Sequence, residues 1–181
     1  MLGPSVAAAA CHTGAVLHVA LLEPEIAGNT GQIARSCLAV GARLHLVRPL
    51  GFRLDDRALR RAGMDYWQRV DVRVHPGWAA FRSHMAPTFA AGRVYAFATS
   101  GGRRPDALAV EAAVLAGDGE DEPQAVLLFG PESRGLPDAV LEDAVRIRLP
   151  MRPGVRSLNL SAAVASALYL AWARAGFAGG S

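Results

Sequence analysis

Polar side chains able to take part in catalysis are concentrated in three short segments that also contain glycine and proline. The first loop, residues 23–35, contains Asn29 and Arg35; the second loop, residues 128–137, reads LFGPESRGLP and contains Glu132 and Arg134. The third loop, residues 149–161, contains Asn159. Amide, carboxylate and guanidinium groups can orient a substrate and stabilise developing charge, and glycine lets a ligand approach the backbone closely. Together these segments favour a nucleoside site.

Taken singly, each segment also fits a plainer interpretation. The first loop fits a capped helix with a surface arginine, with Asn29 or Thr30 as the cap. The second fits a turn carrying two solvated charges. The third fits a helix start capped once, by Ser157, Asn159 or Ser161. Spacing alone does not decide between these interpretations and a shared site.

Several other chemistries are disfavoured by the residues that are missing. The sequence has no G-x-G-x-x-G after its first predicted strand, no phosphate-binding G-x-x-x-x-G-K-[ST] and no G-x-S-x-G. All 19 basic side chains counted as lysine or arginine are arginine, which excludes Schiff-base chemistry on lysine. Metal-ligand spacing is not found among the histidines or the two cysteines, so we expect no metal; these residues are His12, His18, His45, His75, His84, Cys11 and Cys37.

The composition is that of one globular domain. The chain has 181 residues, of which 51% are hydrophobic, and a net charge of +3 that allows a polyanionic partner without requiring one. Residues 1–15 are expected to form a disordered extension and residues 16–181 a single domain. No apolar run is long enough to span a bilayer, and the cysteine usage favours a reduced, cytoplasmic protein.

Strand and helix patterns alternate along the chain. Strands are predicted at residues 16–23, 43–47, 70–74, 93–99, 124–129 and 145–149. Helices are predicted at residues 32–40, 55–62, 76–85, 108–115, 137–143 and 159–175. This order predicts an α/β fold with a mainly parallel sheet covered by helices on both faces. The three loops each follow a strand, so they should meet at the carboxyl edge of the sheet, where ligands bind in such folds.

The three loops taken together resemble the motifs of the SPOUT RNA 2′-O-methyltransferases. The matching patterns are N-x-G-x-x-x-R, G-P-E-S-R-G-L-P and R-S-L-N-L-S, in that order. The intervening segments PLGFRLDD and RRAGMDYW, at residues 49–56 and 60–67, resemble the short subfamily that methylates the ribose at tRNA position 34, on cytidine or a modified uridine. The similarity covers nearly the whole chain from residue 16. One departure is the turn at residues 26–29, which lacks the proline usual in the subfamily.

The resemblance implies a C-terminal deep trefoil knot formed by the second and third loops, and a homodimer that packs through the last helix. In that helix Leu160, Val164, Leu168 and Ala171 form one apolar stripe, which Tyr169 and Trp172 extend. The stripe is also compatible with packing against the chain's own sheet.

The resemblance also implies the site residues. The catalytic group would be Arg35, Asn29, Glu132 and Asn159. S-adenosylmethionine would be bound by Phe97, Ala98, Thr99, Gly130, Leu149, Met151 and Ser157. RNA phosphates of the tRNA anticodon loop would be contacted by Arg53, Arg57, Arg60, Arg61, Arg134, Arg152 and Arg156, with Tyr66 and Trp67 either stacking on bases or packing in the core.

Two roles stay open at this point. Arginine is effectively always protonated, so Arg35 is expected to clamp a substrate phosphate and stabilise the developing alkoxide while the phosphate or water takes the proton. Arg134 is expected either to contact RNA or to pair with Glu132. The alternatives to the position-34 activity are 2′-O-methylation of another tRNA or rRNA site, a non-catalytic RNA-binding paralogue, and a nucleotide-dependent α/β enzyme of another class.

Overall fold

The computed structural model describes residues 17–54, 66–105, 125–177 and 179–180. The predicted helices at residues 55–62 and 108–115, and the predicted N-terminal extension, lie outside the described residues. Six strands are described: β1 (His18–Leu22), β2 (Arg43–Val47), β3 (Val72–His75), β4 (Val94–Phe97), β5 (Val126–Phe129) and β6 (Val145–Ile147). The described α-helices are α1 (Ala27–Val40), α2 (Trp78–His84), α3 (Ala86–Ala90), α4 (Asp138–Glu142) and α5 (Leu160–Arg174), and Trp67–Arg69 forms a 3₁₀ turn.

The six strands form one sheet in the order β3-β2-β1-β5-β4-β6, and every described pair is parallel. The central strands β1 and β5 are buried along their whole length. A parallel sheet needs cover on both faces, and the near-continuous apolar sequences of these strands meet that need. Parallel order also places all six carboxyl ends at one edge.

Helices cover both faces of this sheet. On one face α1 and α5 pack through Ile33, Cys37 and Leu168 against Leu21 and Leu127. On the other face Phe81 of α2, Phe89 of α3 and Val140 of α4 pack against Ala20 and Leu128. The α/β fold with a parallel sheet and two helical layers, expected from the alternating patterns, is therefore confirmed.

Two helices differ from their predicted bounds. The first helix was predicted to begin at residue 32, but α1 already begins at Ala27 and includes residues 28–31 (GNTG), so neither Asn29 nor Thr30 is its cap. The N-cap position is Ile26, which makes no side-chain capping bond. The helix predicted over residues 76–85 is present at Trp78–His84, and a second short helix that was not predicted, Ala86–Ala90, follows it after Met85.

The apolar stripe of α5 belongs to the chain's own core. Val164, Leu168 and Ala171 are fully buried in the cluster that includes α1 and the sheet. The stripe therefore packs within the chain and is not available to contact another copy. This corrects the interpretation of the stripe as a dimer contact and agrees with the alternative that it faces the chain's own sheet. The opposite side of the helix still exposes Tyr169 and Leu170, and Phe177 just beyond the helix is also exposed. Among the described helices, none is both long and apolar enough to cross a membrane.

Three histidines that are scattered in sequence form a stack across neighbouring strands. His45 of β2 lies between His18 of β1 and His75 of β3, with nitrogen-to-nitrogen hydrogen bonds of 2.8 Å to each. The ring centroids are 4.8 and 5.1 Å apart. Each bond needs one donor and one acceptor, which neutral imidazoles supply. Burial, followed by the neighbouring histidines and Arg43, holds the pKa of His45 far below its usual value.

This stack predicts a loss of stability in mild acid. Below an unfolded-state pKa of 6.5 the unfolded chain binds a proton at His45 that the folded chain excludes. The free energy of unfolding should therefore fall by up to about 1.4 kcal/mol per pH unit from this group. Urea denaturation at pH 7.5 and 5.0 measures the change. The His45→Phe variant should show a shallower pH dependence, whereas His84→Gln, which removes a more exposed histidine whose pKa is also lowered, mainly by burial, should reduce that dependence by a smaller amount. A parent midpoint that does not move between these pH values would contradict the assignment.

Candidate functional site

A cavity of about 690 Å³ opens at the carboxyl edge of the sheet. Its wall is made by the segments that follow β1, β4, β5 and β6, together with the start of α5. The described lining residues that were predicted to bind the cofactor are Phe97, Ala98, Thr99, Gly130, Leu149, Met151 and Ser157. All seven predicted positions therefore line one cavity, although their role in binding stays a prediction.

The second loop folds tightly back on itself beside this cavity. A Cβ atom at Gly130 would lie 2.4 Å from the backbone carbon of Gly135 and the backbone nitrogen of Leu136. Gly135 has φ +72°, a backbone conformation that residues other than glycine rarely adopt. The two glycines therefore permit a close backbone turn, which brings Glu132 and Ser133 to the cavity rim.

The third loop ends in a capped helix start. Asn159 is the N-cap of α5, and its Oδ1 accepts hydrogen bonds from the backbone N–H of Ser161 at 2.9 Å and of Ala162 at 3.4 Å. The Ser161 hydroxyl also donates to this oxygen at 2.6 Å. Of the three candidate caps in this segment, Asn159 is the one that caps the helix. Its amide nitrogen is thereby directed away from α5.

That amide nitrogen begins a hydrogen-bonded chain that joins the three loops. Asn159 Nδ2 donates to Asn29 Oδ1 at 3.0 Å, and Asn29 Nδ2 donates to Glu132 Oε1 at 3.0 Å. This series of hydrogen bonds begins at the backbone N–H donors of α5 and ends at a carboxylate acceptor. Both amides therefore have a single orientation that satisfies every bond. We call Asn159, Asn29 and Glu132 the amide relay.

Glu132 also supports the first turn of α1. Its Oε2 accepts a hydrogen bond from the backbone N–H of Glu25 at 2.8 Å, just before the uncapped helix start at Ile26. A carboxylate at a helix N-terminus interacts favourably with the helix dipole. Glu132 thus holds the residue that leads into α1 through its backbone and the first turn of α1 through the Asn29 side chain.

Arg35 lies further into its helix than predicted. Because α1 begins at Ala27, Arg35 is two turns into the helix rather than one, and it is not among the described residues that line the cavity. Its guanidinium instead lies over the Tyr66 ring, 5.1 Å from the centroid. Tyr66 donates a hydrogen bond from its hydroxyl to the Gly31 carbonyl at 2.8 Å, and both Tyr66 and Trp67 pack against the core. Core packing is therefore what this aromatic pair does in the chain.

The predicted RNA-binding arginines separate into groups. Arg134 forms ion pairs with Glu23 and, at 3.7 Å, with Glu25, so its carboxylate partners are these two residues and not Glu132, the partner that one of the two alternatives offered. Arg134 and Arg156 line the cavity. Arg53 and Arg152 are exposed without lining it. The remaining three, Arg57, Arg60 and Arg61, lie outside the described residues.

Two charged lining residues carried no predicted role. Asp138 at the start of α4 and Arg146 in β6 both border the cavity. The Arg146 side chain packs against Gly101 and Gly102, where an added Cβ would approach it within 3.2 Å and 2.9 Å respectively. The sequence signal that could have indicated Arg146 is the pair of glycines after β4, because such a pair allows a neighbouring strand to approach closely. Within the described ranges, no group of three or more potential ligands is arranged to hold a metal ion.

Comparison with known proteins identifies the family. The SpoU rRNA Methylase family matches residues 16–169. A tRNA (cytidine(34)-2'-O)-methyltransferase from Burkholderia ambifaria is 48% identical over 168 residues, covering 91% of this chain and 99% of that protein. A protein of the same name from Saccharophagus degradans is 44% identical with the same coverage.

Two solved structures have the same fold. One, described as giving insights into 2-OH methylation of C/U34 on tRNA, has a TM-score of 0.71 and 42% identity, and the match covers 88% of this chain and 95% of that chain. An AdoMet-bound rRNA methyltransferase from Sinorhizobium meliloti has a TM-score of 0.69 and 25% identity, with coverage of 88% and 57%. The chain therefore belongs to the SpoU rRNA methylase family.

Proposed function

We propose that this protein transfers a methyl group from S-adenosylmethionine to the ribose 2′-hydroxyl of the wobble nucleotide, position 34, of tRNA. The observation that carries the proposal is the 48% identity with a tRNA (cytidine(34)-2'-O)-methyltransferase over nearly the full length of both chains. The convergence of all three sequence motifs on one cavity supports it. The amide relay is intact, which disfavours a non-catalytic paralogue.

The cavity fits S-adenosylmethionine by size and by lining. Its volume of about 690 Å³ lies in the range of small-molecule sites, roughly 300–1,000 Å³. Phe97 and Phe129, which are stacked with centroids 4.6 Å apart, both line it and make part of its wall apolar. The close turn at Gly130 leaves backbone groups within reach of a nucleoside. We assign the seven predicted cofactor residues to this role.

The chain's own residues would orient the substrate and stabilise charge. When bound, S-adenosylmethionine would supply an electrophilic methyl group on a sulfonium. The leaving group would be a neutral thioether, which needs no general acid. The amide relay keeps the three loops fixed around the cavity, so that a ribose hydroxyl can be aligned with the methyl carbon. Arg35 clamps a substrate phosphate and stabilises the developing alkoxide, and the phosphate or water accepts the proton.

A homodimer would reconcile this role with the position of Arg35. The guanidinium is directed to Tyr66 rather than to the chain's own cavity, so we assign its action to the cavity of a second copy. Tyr169, Leu170 and Phe177 expose apolar surface on and beyond α5, and Tyr169 and Phe177 both contact Trp172 edge-on. This exposed surface, not the buried stripe, is the proposed dimer contact.

Three further features complete the proposal. Residues 16–181 form one domain whose second and third loops thread to give the trefoil knot. The strand order, in which β5 lies between β1 and β4 and β6 lies outside β4, is compatible with such threading. The protein acts in the cytoplasm, where tRNA is available, and the exposed Arg53, Arg134, Arg152 and Arg156 contact RNA phosphates.

The activity is tested by mapping ribose methylation on purified tRNA incubated with the full chain and S-adenosylmethionine. We expect methylation at position 34 alone. Arg35→Lys keeps the charge but loses the bidentate fork, so its turnover should fall on the order of tenfold or more. Arg93→Lys, at the opposite edge of the sheet, is the matched control and should retain turnover. Methylation at another position would refute the assigned substrate, and full turnover by Arg35→Lys would refute the clamp.

The cofactor site is tested by Gly130→Ala. The added Cβ would meet backbone atoms at 2.4 Å, so the turn must move and the cavity wall with it. We expect affinity for S-adenosylmethionine, measured by calorimetry, to fall by at least about tenfold. Gly77→Ala is the control, because a Cβ there meets nothing within 4 Å. Unchanged affinity of a folded Gly130→Ala protein would place the cofactor elsewhere.

A further inference from the structure

Glu25, in the first loop, accepts two hydrogen bonds from Ser133, in the second loop. Its Oε2 accepts from the backbone N–H of Ser133 at 2.9 Å, and its Oε1 accepts from the Ser133 hydroxyl at 2.7 Å. Both carboxylate oxygens are thus engaged by a residue 108 positions away in sequence. Hydrogen bonds to an ionised acceptor are the stronger kind.

The contact between the two loops is reciprocal. While the Glu25 side chain binds Ser133, the Glu25 backbone N–H donates to the Glu132 carboxylate at 2.8 Å. Two consecutive residues of the second loop are therefore tied to one residue of the first. The Glu25 backbone thus holds the Glu132 carboxylate, and the Glu25 side chain holds the backbone and hydroxyl of the next residue, Ser133.

A third segment keeps the Glu25 backbone from moving away from the second loop. The Gly51 N–H donates to the Pro24 carbonyl at 2.9 Å. A Cβ at Gly51 would lie 2.6 Å from the Glu25 carbonyl oxygen and 2.7 Å from its Cα. Glu25 is thus wedged between the segment after β2 and the second loop. The ion pair from Arg134 adds little, because the Arg134 side chain is 57% exposed.

We propose that Glu25 is a positioning residue for methyl transfer: through Ser133 it fixes Glu132, and through Glu132 it orients Asn29 and the rest of the amide relay. Glu25 is not among the described residues lining the cavity, whereas Ser133 and Glu132 are, so it acts through them rather than on substrate. The inference rests on the proposed function and deepens it.

The charge state of Glu25 agrees with this role. The Ser133 hydroxyl, then the Ser133 N–H, hold the pKa of Glu25 below its usual value of 4.5, and Arg134 contributes less. The carboxylate therefore stays ionised, and both hydrogen bonds persist, at every pH above the lowered pKa. The positioning contact is lost only as the pH falls through that pKa.

The test compares Glu25→Gln, Ser133→Ala and Ser133→Thr with the parent, using the full chain, purified tRNA and S-adenosylmethionine. The glutamine amide nitrogen cannot accept a bond from Ser133, so kcat should fall on the order of tenfold while KM for tRNA changes by less than about twofold. Ser133→Ala should lose kcat similarly, and Ser133→Thr, which keeps the hydroxyl, should restore it. Asp71→Asn removes a carboxylate paired with Arg43 at the opposite sheet edge and should leave kcat unchanged.

The outcomes separate the two proposals. A parent protein that does not methylate position 34 defeats the proposed function, whatever Glu25 does. An active parent together with a Glu25→Gln variant of equal kcat defeats the positioning role alone. If Glu25→Gln fails to fold, the serine pair decides: a higher kcat for Ser133→Thr than for Ser133→Ala supports the role, and equal values overturn it.

Discussion

The site depends on a chain of hydrogen bonds whose two ends allow only one direction. Backbone N–H groups of α5 can only donate and the Glu132 carboxylate accepts, so the amides of Asn159 and Asn29 between them cannot be reversed without losing bonds. Each such bond contributes about 1 kcal/mol net, which is comparable to the cost of ordering one backbone residue. The relay therefore stabilises one arrangement of three loops that would otherwise sample many.

The parallel sheet makes this relay possible by placing the loops together. Residues 29, 132 and 159 are far apart in sequence, but each follows a strand whose carboxyl end lies at the same edge. Burial of β1 and β5 on both faces gives the loops a rigid base. The glycine turn at Gly130 and the wedge at Gly51 then limit how far the second and first loops can move. The rigid sheet and the hydrogen bonds of the amide relay therefore both restrict the movement of the same three loops.

Much of the fold followed from local patterns, because apolar runs and glycine stops mark strands and helices directly. The residues predicted to bind the cofactor also line one cavity, since each lies at the end of a strand or in a loop that follows one; their role in binding stays a prediction. The start of α1 was not, because residues 28–31 read locally as a turn and become helical where Glu132 and Asn159 hold Asn29. That error displaced Arg35 by a full turn. The histidine stack and the Glu25–Ser133 contact depend on strand register and long-range packing, which spacing along the chain does not encode.

The most direct test of the account is a double-mutant cycle on S-adenosylmethionine affinity with Asn29→Ala and Asn159→Ala. If one relay holds the cavity, the second substitution should cost little once the first is made, with a coupling energy of about 1 kcal/mol or more. Costs that add to within about 0.3 kcal/mol would show that the two amides act independently and would contradict the relay.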